Sequence, residues 1–179
     1  PRTFTMGSVI RGSGVVHSDG RLADLDADGE LDVVLAHLRG ATGEVLLVRG
    51  APSGFFGPVA RLATADTRRL TVGALSGDRT LSVLAVGGSS LFVGTATSAS
   101  PFFQLEDAGS AATDGRDVVV AELDGFPPSE IVISDGSGGV LRVVRFGSTG
   151  LVRLYDVPLL GTPTELAALD VDGDGRDEV

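Results

Sequence analysis

Residues 24–36 read DLDADGELDVVLA, and residues 170–179 read DVDGDGRDEV. In both, acids stand at alternate positions, a glycine follows the third acid, and a further acid closes the stretch. Alternate side chains can turn toward one centre when such a loop curls, and glycine supplies the backbone freedom a tight turn needs. In the first loop this reading assigns carboxylate oxygens to Asp24, Asp26 and Asp28, a main-chain carbonyl to Glu30 and a closing carboxylate to Asp32. The matching set in the last loop is Asp170, Asp172, Asp174, the carbonyl of Arg176, and Glu178. A donor set made only of hard oxygens favours Ca²⁺ over zinc or copper, and flexible geometry with many ligands favours it over Mg²⁺. About two Ca²⁺ sites are therefore expected. The competing reading is a solvated acidic turn without metal.

The same register recurs between these ends. Aligning each acidic stretch by the apolar run that follows it places repeat loops at 24–32, 74–82, 122–130 and 170–178, spaced 50, 48 and 48 residues apart. The two middle loops depart from the pattern. ALSGDRTLS keeps only Asp78 among the ligand positions. ELDGFPPSE keeps Glu122, Asp124 and Glu130 but has Phe126 for the third acid and Pro127 for the glycine. A turn retained without metal is expected in both.

Between the loops lie short β-branched runs, at 21–25, 32–38, 44–50, 58–64, 69–75, 81–87, 90–96, 117–123, 130–136, 140–147 and 151–157, separated by Gly, Ser, Asp and Pro turns. Few segments keep a helical period, and 26 glycines are spread along the chain. The fold class read from this is all-β. A repeat of 48–50 residues holding about four strands is the size of one β-propeller blade. Residues 1–179 are thus expected to be a single partial β-propeller domain of about three and a half blades. The chain starts at Pro1 and stops just after the last loop, so the remaining blades of a larger ring, about seven in all, are expected outside it. Two such chains completing one ring is the alternative.

Composition narrows the function classes. The formal net charge is −10, with 24 acids against 14 cations that are all arginine, which disfavours a nucleic-acid backbone as partner and favours cations. The absence of cysteine removes disulfides and thiolate chemistry. No apolar run reaches the ~20 residues of a membrane helix, so no membrane span is expected. His17 and His37 are not spaced as a metal pair and read as strand or loop residues. Asp114, Asp117 and Asp156 show no distinctive spacing and read as turn or surface residues, so no catalytic set is visible.

LADLDADGELDVVLA, GEVLLVRGAPSGFFGPVARL and LAALDVDGDGRDEV together resemble the FG-GAP or VCBS repeat family, the blades found at the head of integrin α chains and in many bacterial extracellular proteins. The resemblance implies calcium in the loop between the first and second strands of a blade. It carries to Asp24, Asp26, Asp28, Glu30 and Asp32, and to Asp170, Asp172, Asp174, Arg176 and Glu178. EF-hands share the acidic core, but there a helix follows and position twelve is Glu, whereas this loop runs into VVLAHL with Leu35 at position twelve.

The expected role is a non-catalytic, calcium-binding scaffold of an extracellular or cell-surface protein, of bacterial type, that engages a protein or glycan partner in adhesion. The alternatives are the propeller domain of a polysaccharide-degrading enzyme, or a lectin. With no Trp and one Tyr the chain is poorly supplied with sugar platforms, and the paired Phe55–Phe56 and Phe102–Phe103 read as core between blades.

Overall fold

The structure, a computed structural model, describes residues 16–39, 42–52, 59–76, 80–96, 103–147 and 150–179. Ten strands run in chain order: β1 (Val16–Ala23), β2 (Asp32–Arg39), β3 (Thr42–Val48), β4 (Val59–Ala65), β5 (Arg69–Ala74), β6 (Leu81–Ala96), β7 (Phe103–Ala121), β8 (Glu130–Asp135), β9 (Val140–Gly147) and β10 (Gly150–Pro158). No helix occurs among the described residues. β1 to β4 form one sheet and β5 to β10 another; each strand pairs antiparallel with its neighbours in sequence. Short polar turns between β-branched runs give this up-and-down order, because antiparallel neighbours need only a tight connection. The all-β expectation is met. Among the described residues both sheets are open-ended, and they do not close into a ring.

The strand boundaries differ from expectation at β1, which begins at Val16 rather than at residue 21, at β3, which covers Thr42–Val48 rather than 44–50, and most of all in one later region. The sequence places separate strands at 81–87, 90–96 and 117–123; the structure has a 16-residue β6 and a 19-residue β7. Residues 104–110, QLEDAGS, carry no apolar alternation, and Gln104, Glu106, Asp107 and Ser110 are exposed. That stretch is a strand because β6 pairs with it, a reason invisible to local pattern. Each long strand has two halves with different partners. Residues 81–86 pair with β5 and 90–96 with 103–110, while 115–121 pair with β8. Register breaks at Gly88/Ser90 and Gly115/Asp117 separate the halves, and Gly88, with φ of 55°, supplies a left-handed conformation at the first of them.

Three apolar clusters hold the layers together. Leu25 of the first acidic loop and Val34, Ala36, Val45 and Leu47 of the first sheet pack on Leu70, Val83, Ala85, Phe92 and Phe103 of the second. Leu84, Val86 and Leu91 pack on Ala111, Val118, Ile131, Ile133 and Val144. Ala121, Val132 and Val143 pack with Leu123, Leu141, Leu166 and Ala168. Phe103 is 1% exposed, as core placement of the aromatic pairs requires; Phe55, Phe56, Phe102 and Asp78 lie outside the described residues. His37 is a buried strand residue, with Nδ1 3.7 Å from Glu44.

Candidate metal centre

The acidic loops occupy one structural position. The first joins β1 to β2, closing on the pair Ala23↔Asp32; the third joins β7 to β8, closing on Ala121↔Glu130. The fourth closes on an isolated antiparallel bridge, Leu169↔Glu178. The second joins β5 to β6 through Ala74↔Leu81. The sequence period thus corresponds to one recurring antiparallel connection, between strands in the first three loops and across an isolated bridge in the fourth.

Within the loops the acids build the turn before any ligand is considered. Asp24 accepts the amides of Asp28 and Gly29 at 3.0 and 2.9 Å, and Asp170 accepts those of Gly173 and Gly175 at 2.7 and 3.0 Å. Asp26 takes the amide of Asp28, Asp172 that of Asp174, and Asp124 that of Phe126. Asp28 takes the amide of Glu30 and Asp174 that of Arg176. Such Asx-type bonds curl the backbone and draw alternate carboxylates inward. The curl needs left-handed residues at the fourth and sixth loop positions: Ala27 and Gly29 in the first loop, Gly173 and Gly175 in the last. The third loop has Gly125 at the fourth position but Pro127 at the sixth, where proline cannot adopt positive φ.

The structure brings Asp24, Asp26 and Asp28 together, and likewise Asp170, Asp172 and Asp174, with a carboxylate oxygen from each within 4.8 Å of the others. The closing acids have a different duty. Asp32 is fully buried, and its two oxygens accept the amides of Leu25 and Gly50 at 3.0 and 2.8 Å. Glu130 takes the amide of Leu123 and Glu178 that of Val171, so in three loops the ninth residue ties down the second. Burial raises the pKa of Asp32, the two amides work against that, and repulsion from Asp26 and Asp28 adds to it. Glu30 and Arg176 donate their amides to Asp28 and Asp174 within the turn.

An all-oxygen donor set of converging carboxylates fits a hard divalent cation and offers nothing to a soft one. Electrostatics differ between loops. Arg49 places Nη2 2.5 Å from Asp26 and 3.1 Å from Asp28 in the first loop. Among the described residues no guanidinium lies within ion-pair distance of Asp170, Asp172 or Asp174; the side chain of Arg176 instead lies beside Gly125 of the third loop.

A third group emerges that sequence reading gave no metal. Glu122, Asp124 and Glu130 converge within the same limit, but the Arg145 guanidinium sits on Asp124 at 2.5 Å and contacts Glu130. The arginine hydrogen bond holds the Asp124 carboxyl below its ordinary range.

Two further sets escaped the sequence. Asp117, read there as a turn or surface residue, is 4% exposed and accepts the amides of Val118 and Leu166 at 2.9 and 2.7 Å. Asp19, at the same five-residue distance before its loop, accepts the amide of Leu70 at 3.1 Å. Asp66, Arg68, Asp114 and Arg116 form an alternating chain of ion pairs. The pattern Asp-x-Arg at 66–68 and 114–116, 48 residues apart, was the available signal.

No family model matches this chain, and no curated protein or solved structure is significantly similar to it.

Proposed function

We propose that this chain is a run of calcium-loaded β-propeller blades of the FG-GAP or VCBS type, serving as a non-catalytic scaffold of an extracellular or cell-surface protein. The observation that carries the reading is the recurrence of one hydrogen-bonded acidic loop, with the same closing carboxylate-to-amide bond, at the same strand-to-strand connection. The pairing of the half-strands supports blades: 69–74, 81–86, 90–96 and 103–110 make one group of four, and 115–121 with β8, β9 and β10 make the next. Face-to-face apolar packing of successive groups is what radial stacking requires. Loops of this kind hold Ca²⁺ at extracellular concentrations, and the ion offsets the repulsion among carboxylates that the turn gathers. The scaffold's partner is a protein or glycan met by loops on one face of the stack.

Calorimetric titration of chelator-stripped protein with Ca²⁺ tests this. About two ions per chain, with a rise in unfolding temperature, are expected. Absence of binding at ~10 mM Ca²⁺ would sink the reading, since extracellular modules bind below that.

A further inference from the structure

Arg49 and Arg145 are equivalent residues. Val33 pairs with Val48 and Ile131 with Val144, so each arginine stands across the ladder from the acid that closes its loop, Asp32 or Glu130. One methylene changes the outcome. Asp32 is short, and both of its oxygens are taken by the amides of Leu25 and Gly50, so Arg49 reaches past it to Asp26 and Asp28. Glu130 extends further, gives Oε2 to the Leu123 amide and presents Oε1 to Arg145.

Glu130 is 1% exposed, and its Oε1 is ion-paired with the Arg145 guanidinium. The neighbouring Glu122 Oε1 is buried without a hydrogen bond. The unbonded Glu122 Oε1 and the buried Glu130 carboxylate, with Asp124 beside them, demand positive charge, because an uncompensated buried carboxylate is strongly disfavoured. The Arg145 guanidinium, itself mostly buried, pairs with Asp124 and Glu130, two of the three acids, while Arg176 acts on Asp124 from beside Gly125; the acids together carry more negative charge than Arg145 alone can cancel.

From this we infer that the 122–130 loop is a latent divalent-cation site in which Arg145 takes the cation's place. The inference goes beyond the calcium reading of the first and last loops, which does not include this one. It also orders the loops. The guanidinium is built into the third, competes for Asp26 and Asp28 in the first, and is absent from the acids of the fourth among the described residues. The third loop therefore folds without metal, and removing the guanidinium creates a need for one.

The test is R145M, which keeps the apolar stem of the side chain and removes its charge, compared with the unaltered chain in chelator and in Ca²⁺. The variant is expected to lose unfolding temperature in chelator, to regain it as Ca²⁺ is raised to ~10 mM, and to bind one more ion per chain in calorimetry. Unchanged stability in chelator would show that Arg145 neutralises nothing, and a loss that Ca²⁺ does not restore would eliminate the latent site. Should R145M not fold in chelator, the double variant E130Q/R145M lacks the most deeply buried of the three charges and is expected to fold there; its failure overturns the inference. The ion count of the unaltered chain separately decides the calcium reading of the other loops, so the two can fail independently.

Discussion

Asp177 and Glu122 exchange two hydrogen bonds: the Glu122 amide donates to Asp177 Oδ2 at 2.8 Å, and the Asp177 amide donates to the Glu122 carbonyl at 2.7 Å. The fourth acidic loop is thereby docked on the third through two residues 55 apart in the chain. Removing the Asp177 carboxylate leaves a part-buried amide without its acceptor. Asp177→Ala is expected to cost about 1–3 kcal/mol in urea unfolding. The loss should be present in chelator as well as in Ca²⁺, because the bond holds backbone rather than metal. An effect seen only with Ca²⁺ would place Asp177 in a metal site instead.

Asp172 tests the opposite dependence. The turn uses its Oδ1 for the Asp174 amide, an exposed bond of small net worth. Asp172→Ala is therefore expected to change stability little in chelator and to remove one bound Ca²⁺ with the thermal shift that ion confers. Asp26→Ala is expected to do the same in the first loop, where it also frees Arg49 from one of its two acids. Equal destabilisation with and without Ca²⁺ would argue that these acids are turn formers only.

Asp135 sets a pH dependence. It is fully buried, which alone raises its pKa, but the amides of Thr113, Asp114 and Ser137, the Ser137 hydroxyl and the Arg142 guanidinium outweigh burial and hold it well below its ordinary 3.8. A carboxyl depressed on folding contributes stability that is fully present above its unfolded pKa and is lost as pH falls below that value. Asp135→Asn is expected to cost about 1–3 kcal/mol at pH 7, with the gap to the unaltered chain narrowing steadily below pH ~4. Thermal unfolding of both proteins across pH 2–7 checks it; a gap independent of pH would assign the loss to packing.

Gly87 of β6 lies against the segment that connects the two sheets between β4 and β5. A Cβ there would lie 1.7 Å from the Asp66 carbonyl oxygen and 2.4 Å from its carbon, both backbone atoms that cannot step aside as a side-chain end can. Gly87→Ala is expected to destabilise by about 3 kcal/mol or more. Gly161→Ala meets no atom within 4 Å and should stay within about 0.5 kcal/mol. Similar unfolding midpoints for the two variants would refute the close approach.

Gly87 also illustrates what local reading misses. In the sequence, Gly88 and Ser89 read as a turn between the runs 81–87 and 90–96, and the register of β6 does break there. Its contact with Asp66, 21 residues earlier, belongs to no spacing rule.

What the sequence by itself determined is the content of the loops and the strands beside them. Alternate acids, a glycine at the sixth position and the apolar run after the closing acid are local features, and local hydrogen bonding turns them into the curled loops around Asp24–Asp28 and Asp170–Asp174. Only the tertiary structure decided which cation-like group meets which loop. Arg145 reaches Asp124 and Glu130 because β8 and β9 are paired in one register, and Asp117 is buried because Leu166 packs and bonds above it. It likewise made a strand of 104–110, whose own residues carry no strand pattern, by pairing it with β6. The division has a physical cause. Turn chemistry acts over a few residues and is written in their order, whereas charge compensation and sheet pairing act across space, between residues whose separation along the chain carries no trace of the contact.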